Sequence, residues 1–190
     1  MSHEIYTTKG FIISSENKGE SDKTFFVFTE EMGLVRANVS GVRKIESKLR
    51  YALQEFDFSE ISFVLGKQGW KIVNSAPLNF FSEKIENSQT KVQVLRLLKK
   101  LCPQDEPHAN LFAELVKAFI FMDENKIKSD KSLDALLALK ILSYFGYWGD
   151  GEEYSFVQSP FSQAVLDEIT KVRQDIVKEV NKSLRATQLM

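Results

Sequence analysis

The stretch Gly33-Leu34-Val35-Arg36-Ala37-Asn38-Val39-Ser40-Gly41-Val42-Arg43-Lys44-Ile45-Glu46-Ser47-Lys48-Leu49-Arg50 runs a short alternating strand into a glycine-punctuated basic loop. Val35, Ala37 and Val39 share one face of that strand and Arg36, Asn38 and Ser40 the other, because strand side chains alternate with period two. One face is core and the other is wet. Arg36, Arg43, Lys44, Lys48 and Arg50 are set against a single acid, Glu46, in a chain whose net charge is -1. So local a positive excess points to an anionic polymer as partner.

Outward from this stretch, the strand period holds to about Ser75. The first strand is read over Ile5 to Ser14, and the polar loop Glu16 to Asp22 leads into the second, Thr24 to Thr29. The fourth carries Phe56 and Phe58 in one phase and Ile61, Phe63 and Leu65 in the other, so a bulge is expected near Ser59-Glu60. Gly66-Lys67-Gln68-Gly69 makes a hairpin into the fifth strand, Trp70 to Val73. Five short strands, with a helix-capable stretch from Ile45 to Ala52 between the third and fourth, predict a small Greek-key barrel of the oligonucleotide-binding (OB) kind.

Pro77 ends the strand pattern, and the period becomes helical. The expected fold class is α+β: a five-stranded OB barrel over residues 1–76, then an all-helical domain over 77–190. The first helix reaches Cys102 with Val94, Leu95, Leu98 and Leu101 on one face, and the second carries Phe112, Leu115, Val116 and Phe119. Ser132 is the expected N-cap of the third, whose apolar face holds Leu133, Leu137, Ile141 and Tyr144 and which ends at Gly146. The last starts near Ser162 and aligns Val165, Ile169, Val172, Ile176, Val180 and Leu184.

Composition excludes much chemistry. A chain of 190 residues, 43% hydrophobic, can bury one good core or two small ones. The single cysteine, Cys102, leaves no disulfide framework and no cysteine-based zinc site, and with His3 and His108 it shows no ligand spacing. No phosphate-cradling glycine series follows a strand, and Glu30-Glu31 and Glu152-Glu153 read as solvated charges. No catalytic residue, metal or cofactor is therefore expected. Met1 to Lys9 lacks a secretion signal and no apolar run nears the roughly 20 residues that span a bilayer, so a soluble cytoplasmic protein is expected.

A charge run is ordinarily just a solvated loop. Here Arg36 stands on the polar face of the strand leading into the loop, beside Asn38, a good phosphate or base donor, so the DNA-binding candidates are Arg36, Asn38, Arg43, Lys44, Lys48 and Arg50. Tyr6, Phe26 and Trp70 are candidate stacking platforms, whereas Phe25, Phe28, Phe56, Phe58 and Phe63 fill the barrel. A stripe of Lys171, Lys178, Lys182 and Arg185 on the last helix is partly explained by pairing of Lys171 with Asp167 and Asp175.

The chain resembles the RecO family of bacterial recombination mediators. The resemblance runs through Tyr6-Thr7-Thr8-Lys9-Gly10-Phe11-Ile12-Ile13, Gly19-Glu20-Ser21-Asp22-Lys23, Phe28-Thr29 with Gly33 to Ala37, Ser40-Gly41-Val42-Arg43-Lys44, Ser47-Lys48-Leu49-Arg50 and Leu53-Gln54-Glu55-Phe56. It continues more loosely through Glu106-Pro107, Leu111-Phe112, Leu142 to Tyr147 and Lys182 to Arg185. The family implies an OB barrel and a helical domain that bind single- and double-stranded DNA, anneal complementary strands and help load RecA onto DNA coated by single-strand-binding protein (SSB). It also implies as partners RecR and the acidic C-terminal tail of SSB, and a place at the bacterial nucleoid. Many members carry a four-cysteine zinc module after the motif matching Phe145-Gly146-Tyr147; Trp148 to Pro160 here has no cysteine, so no zinc is carried over. A reading from another class, an adaptor that binds only acidic protein partners, stays open on the residues alone.

Overall fold

The structure is a computed structural model that describes residues 4–82, 85, 88–148 and 155–186. His3 and the Glu152-Glu153 loop lie outside the described residues. The elements are β1 (Ile5–Lys18), β2 (Asp22–Thr29), β3 (Gly33–Val39), α1 (Leu49–Ala52), β4 (Phe58–Gly66), β5 (Gly69–Pro77), α2 (Gln89–Leu101), α3 (Ala109–Glu124), α4 (Lys131–Tyr144), a 3-10 turn (Ser155–Val157) and α5 (Gln163–Ala186). The five strands close into a barrel in the order β1-β2-β3-β5-β4, with β3 and β5 parallel and the other pairs antiparallel. That is the OB fold the alternation predicts, with α1 at its connection between the third and fourth strands.

Closure rests on β1, which pairs with β4 through residues 5–11 and with β2 through residues 10–18. Gly10 and Phe11 belong to both ladders, and the register against β2 slips between Ile12 and Ser14. The second slip lies between Ser62 and Phe63 in the β4–β5 ladder, not at Ser59-Glu60. Phe56 precedes β4 at φ 72, its N–H donating to the Ile12 carbonyl at 2.6 Å, so the phase change read from the phenylalanines is a corner before the strand. β1 and β2 also run four and two residues further into the polar stretch than the alternation shows, because ladder bonds continue to Lys18↔Asp22.

Inside the barrel Ile12, Phe25, Val27, Val35, Ala37, Val39, Ile61, Phe63 and Ile72 form one core, joined by Val42 and Leu53 from the connection. By alternation Phe11, Phe28 and Phe58 point away from this interior, yet all are buried. Their cover includes Phe112, whose ring centroid lies 5.6 Å from that of Phe11, 5.7 Å from Phe28 and 6.3 Å from Phe58. The chain accordingly divides into two compact units, one holding everything up to Phe80 plus Pro103–Ala113, the other Phe81–Cys102 and everything from Glu114. Gln104 bridges Leu34 in parallel fashion and the Asp105 N–H donates to the Leu34 carbonyl at 3.1 Å, so this later segment lies along β3.

In the second unit α4 packs against α2 and α5. Leu95, Leu98, Leu115, Phe119, Leu136, Leu137, Ile141, Ile169 and Ile176 are buried, whereas Tyr144 is exposed. The N-cap of α4 is Asp130, not Ser132: its carboxylate accepts from the Ser132 and Leu133 N–H groups at 2.6 and 3.1 Å. A carboxylate satisfies two orphan donors at a helix start. Ser132 is buried inside the first turn, its hydroxyl 2.8 Å from that of Thr170 on α5. No helix among the described residues is long and apolar enough to cross a membrane.

Gly33 has φ +68, and a Cβ there would lie 1.7 Å from the Glu106 carbonyl oxygen. Gly33→Ala is expected to destabilise the barrel unit by roughly 2 kcal/mol or more, through left-handed strain and displacement of the 104–106 segment. Chemical denaturation of the two proteins checks this.

Candidate nucleic-acid interface

The basic connection is held against the β1–β2 turn by a set of bonds between residues about 20 apart in sequence. The Gly41 N–H donates to Asp22 Oδ1 at 2.8 Å, the Arg43 N–H to the Ser21 carbonyl at 2.9 Å, and Arg43 Nη1 to the Gly19 carbonyl at 3.1 Å. Gly41 turns the chain at φ +67, a conformation L residues resist. The Gly41 N–H and the Ser21 hydroxyl, with the Lys18 and Lys44 charges, hold the Asp22 carboxyl below its ordinary value. The loop is thus positioned by a charge-assisted bond.

Arg36, Arg43, Lys44, Lys48 and Arg50 are all exposed. Asn38 is half-buried, its amide oxygen accepting from Thr24 Oγ1 at 2.9 Å and Lys18 Nζ at 3.2 Å, which leaves its amide nitrogen to donate outward. Arg36 shares the outward face of β3 with Asn38, opposite Phe26 in the β2–β3 register. Arg43 and Arg50 both line an open groove of about 1090 Å³, together with Ser15, Asn17, Lys23 and Phe25. Arg36, Lys44 and Lys48 do not line that groove; they extend the positive surface beyond it.

Lys18 and Lys23 escape a reading of the chain in order. They flank the Gly19–Asp22 turn and reach the basic connection only because β2 pairs with both β1 and β3, with Lys23 opposite Asn17 on one side and Val39 on the other. Two lysines bracketing a turn that precedes a basic strand are the available signal. Of the stacking candidates, Phe26 is 8% exposed and belongs to the core. Tyr6 and Trp70 meet edge to face at 5.3 Å, and Trp70 also packs on Phe63. On α5, Lys178 pairs with Asp175 and Lys182 with Glu179 at i,i+3, so those charges are balanced along their own helix. Among the described residues no group of His, Cys, Asp and Glu side chains is arranged to hold a metal.

Because folding lowers the Asp22 pKa, the tether to Gly41 is at full strength above the ordinary value of 3.8 and is lost as the pH falls through the depressed one. In an NMR titration the Gly41 amide proton is expected to shift with a midpoint below 3.8, and Asp22→Asn to abolish that step.

The family profile described as "Recombination protein O N terminal" matches residues 1–80. The chain is 30% identical over 150 residues to the DNA repair protein RecO of Thermodesulfovibrio yellowstonii, covering 76% of this chain and 59% of that protein. It is 26% identical to the DNA repair protein RecO of Clostridium acetobutylicum, with 75% and 59% covered, and 29% identical to that of Desulfitobacterium hafniense, with 75% and 52% covered. The chain therefore spans somewhat over half the length of these curated relatives. The closed five-stranded barrel, the match over that barrel and the relatives that run on into the helices agree: the chain belongs to the RecO family, with the family's N-terminal domain as its OB barrel.

Proposed function

We infer that this chain acts in DNA repair, as the names of its relatives say of them, that its part there is that of a recombination mediator, and that it binds single- and double-stranded DNA through the basic face of the barrel. The observation that carries this is the held loop: five cations on β3 and the connection, all exposed, against the single acid Glu46. Repulsion among those cations is relieved by phosphates, and backbone contacts carry little sequence information, so binding is sequence-tolerant. Two strands held through their phosphates keep their bases free to pair, which is the requirement for annealing. Loading of RecA onto SSB-coated DNA and a contact with RecR belong to the same reading. The reaction needs no catalytic residue and no cofactor.

The acidic C-terminal tail of SSB fits a shallow groove in the helical unit. Its floor is Ala135, Ala138, Val177 and Val180, and Lys131 and Arg173 stand at its rim. An apolar floor beside two cations is what an acidic peptide ending in a hydrophobic residue needs. Asp134 also lines the groove, its carboxyl raised above the ordinary value by burial, with the Thr90 hydroxyl bonded to it at 2.6 Å. Arg173→Glu is expected to weaken capture of a peptide of that tail at least tenfold in a fluorescence titration; unchanged affinity places the tail elsewhere.

Anisotropy of a labelled single strand over a salt series tests the DNA reading. Five phosphate contacts predict a log–log slope of about −3.5, and Arg43→Glu/Lys44→Glu lowers it to about −2 along with the affinity. No binding at low salt overturns this reading in favour of an adaptor for acidic proteins.

A further inference from the structure

We propose that the groove beneath Arg43 and Arg50 is a single-strand pocket in which an unpaired base stacks on Tyr51. This rests on the DNA-binding reading and adds to it the form of DNA that the groove selects.

Tyr51 is 70% exposed, and among the described residues none makes a hydrogen bond or ring contact with its side chain. A tyrosine ring left to water forgoes most of its burial energy, and here that exposure is built in. The residue sits on α1, which is fixed from below: Leu49 packs on the barrel core, Leu53 is 4% exposed within it, and the Leu53 N–H donates to the Leu49 carbonyl at 3.1 Å. Ser75 Oγ donates to the Ala52 carbonyl at 3.1 Å and ties the same turn to β5. Residues four apart share a helical face, so anchoring Leu49 and Leu53 turns Tyr51, two positions on, away from the core. The result is a ring on a fixed mount, at the edge of the groove.

The groove's chemistry matches a nucleotide strand in both parts. Lys23, Arg43 and Arg50 supply cations at its walls, and Arg50 is adjacent in sequence to the ring. Lys23 reaches inward, its Nζ donating to Ser15 Oγ at 3.2 Å and lying 6.0 Å from the centroid of Phe25. The one acid in the lining, Glu55, spends Oε1 on the Ser15 N–H and hydroxyl, both at 2.8 Å. Its charge is therefore drawn into the wall by two donors. An acidic peptide satisfies the cations but offers a flat π face only where it carries an aromatic residue, whereas every nucleotide has both. A duplex satisfies the cations too, but its bases already stack on each other and offer no free face. At about 1090 Å³ the open groove stands at the top of the range for small-ligand sites, room enough for a base with its sugar and phosphate.

The test compares wild type, Tyr51→Ala and Tyr51→Phe by anisotropy, on a single strand and on a duplex of the same sequence. Tyr51→Ala is expected to lose roughly 5- to 100-fold in single-strand affinity and to leave duplex affinity within about twofold, since duplex binding rests on phosphate contacts. Tyr51→Phe is expected to keep both, because the ring and not the hydroxyl acts. A 2-aminopurine in the single strand gives a second readout: its quenching on binding persists with Tyr51→Phe and is lost with Tyr51→Ala. The proposal is overturned if Tyr51→Ala binds single strands like wild type, or if both DNA forms weaken equally. In either case wild type still binds DNA and the mediator reading stands. Wild type that binds neither DNA form overturns both readings.

Discussion

The molecule depends on how its longest strand divides itself between two ladders. A sheet closes into a barrel only when every strand is paired on both edges, and β1 meets this by handing over from β4 to β2 at Gly10 and Phe11 and slipping register beyond Ile12. The extra length of β1 carries it past the barrel to Lys18, and the turn that follows supplies Asp22 and the carbonyls of Gly19 and Ser21 that hold the basic connection. Closure and the placement of the charged loop are thus one event. Without the handover, the turn and the loop have no reason to meet.

Electrostatics on this chain is a matter of position more than of total. Its net charge of -1 predicts no attraction to DNA, but at physiological ionic strength charges interact over roughly 8 Å. Within that range the surface of β3 and its connection is positive. On α5 the same residue types stand beside Asp175 and Glu179 and cancel locally. Lys178 and Lys182 stand in ion pairs, whereas among the described residues Arg36, Lys48 and Arg50 stand in none.

Much of the barrel was legible because its signal is local. The alternation of Val35, Ala37 and Val39 against Arg36, Asn38 and Ser40 assigns both the strand and its faces, and the cations can be counted along the chain. The N-cap of α4 is misread by two residues because Asp130 and Ser132 both suit a cap; the Asp130 carboxylate's bonds to the Ser132 and Leu133 N–H groups decide between them, while the Ser132 hydroxyl is turned to Thr170. The gathering of Arg43, Arg50 and Lys23 around one groove, with Tyr51 at its edge, was not legible. It depends on strand pairing between segments whose separation in sequence says nothing of their distance in space. The assignment of Pro103–Ala113 to the barrel unit was hidden for the same reason, since one bridge, one hydrogen bond and one phenylalanine carry it.

That late segment bears on how the protein is made. Phe11, Phe28 and Phe58 are complete when β4 has been synthesised, but Phe112 follows only after β5 and the whole of α2. On the ribosome the barrel can therefore form its ladders while three phenylalanines still lack one of their covers, and exposed apolar surface of this kind is what makes nascent chains adhere to one another. The family resemblance of the first 80 residues and the folding unit end at different places. A gene fragment cut at the former would encode a barrel with part of its apolar outer face uncapped.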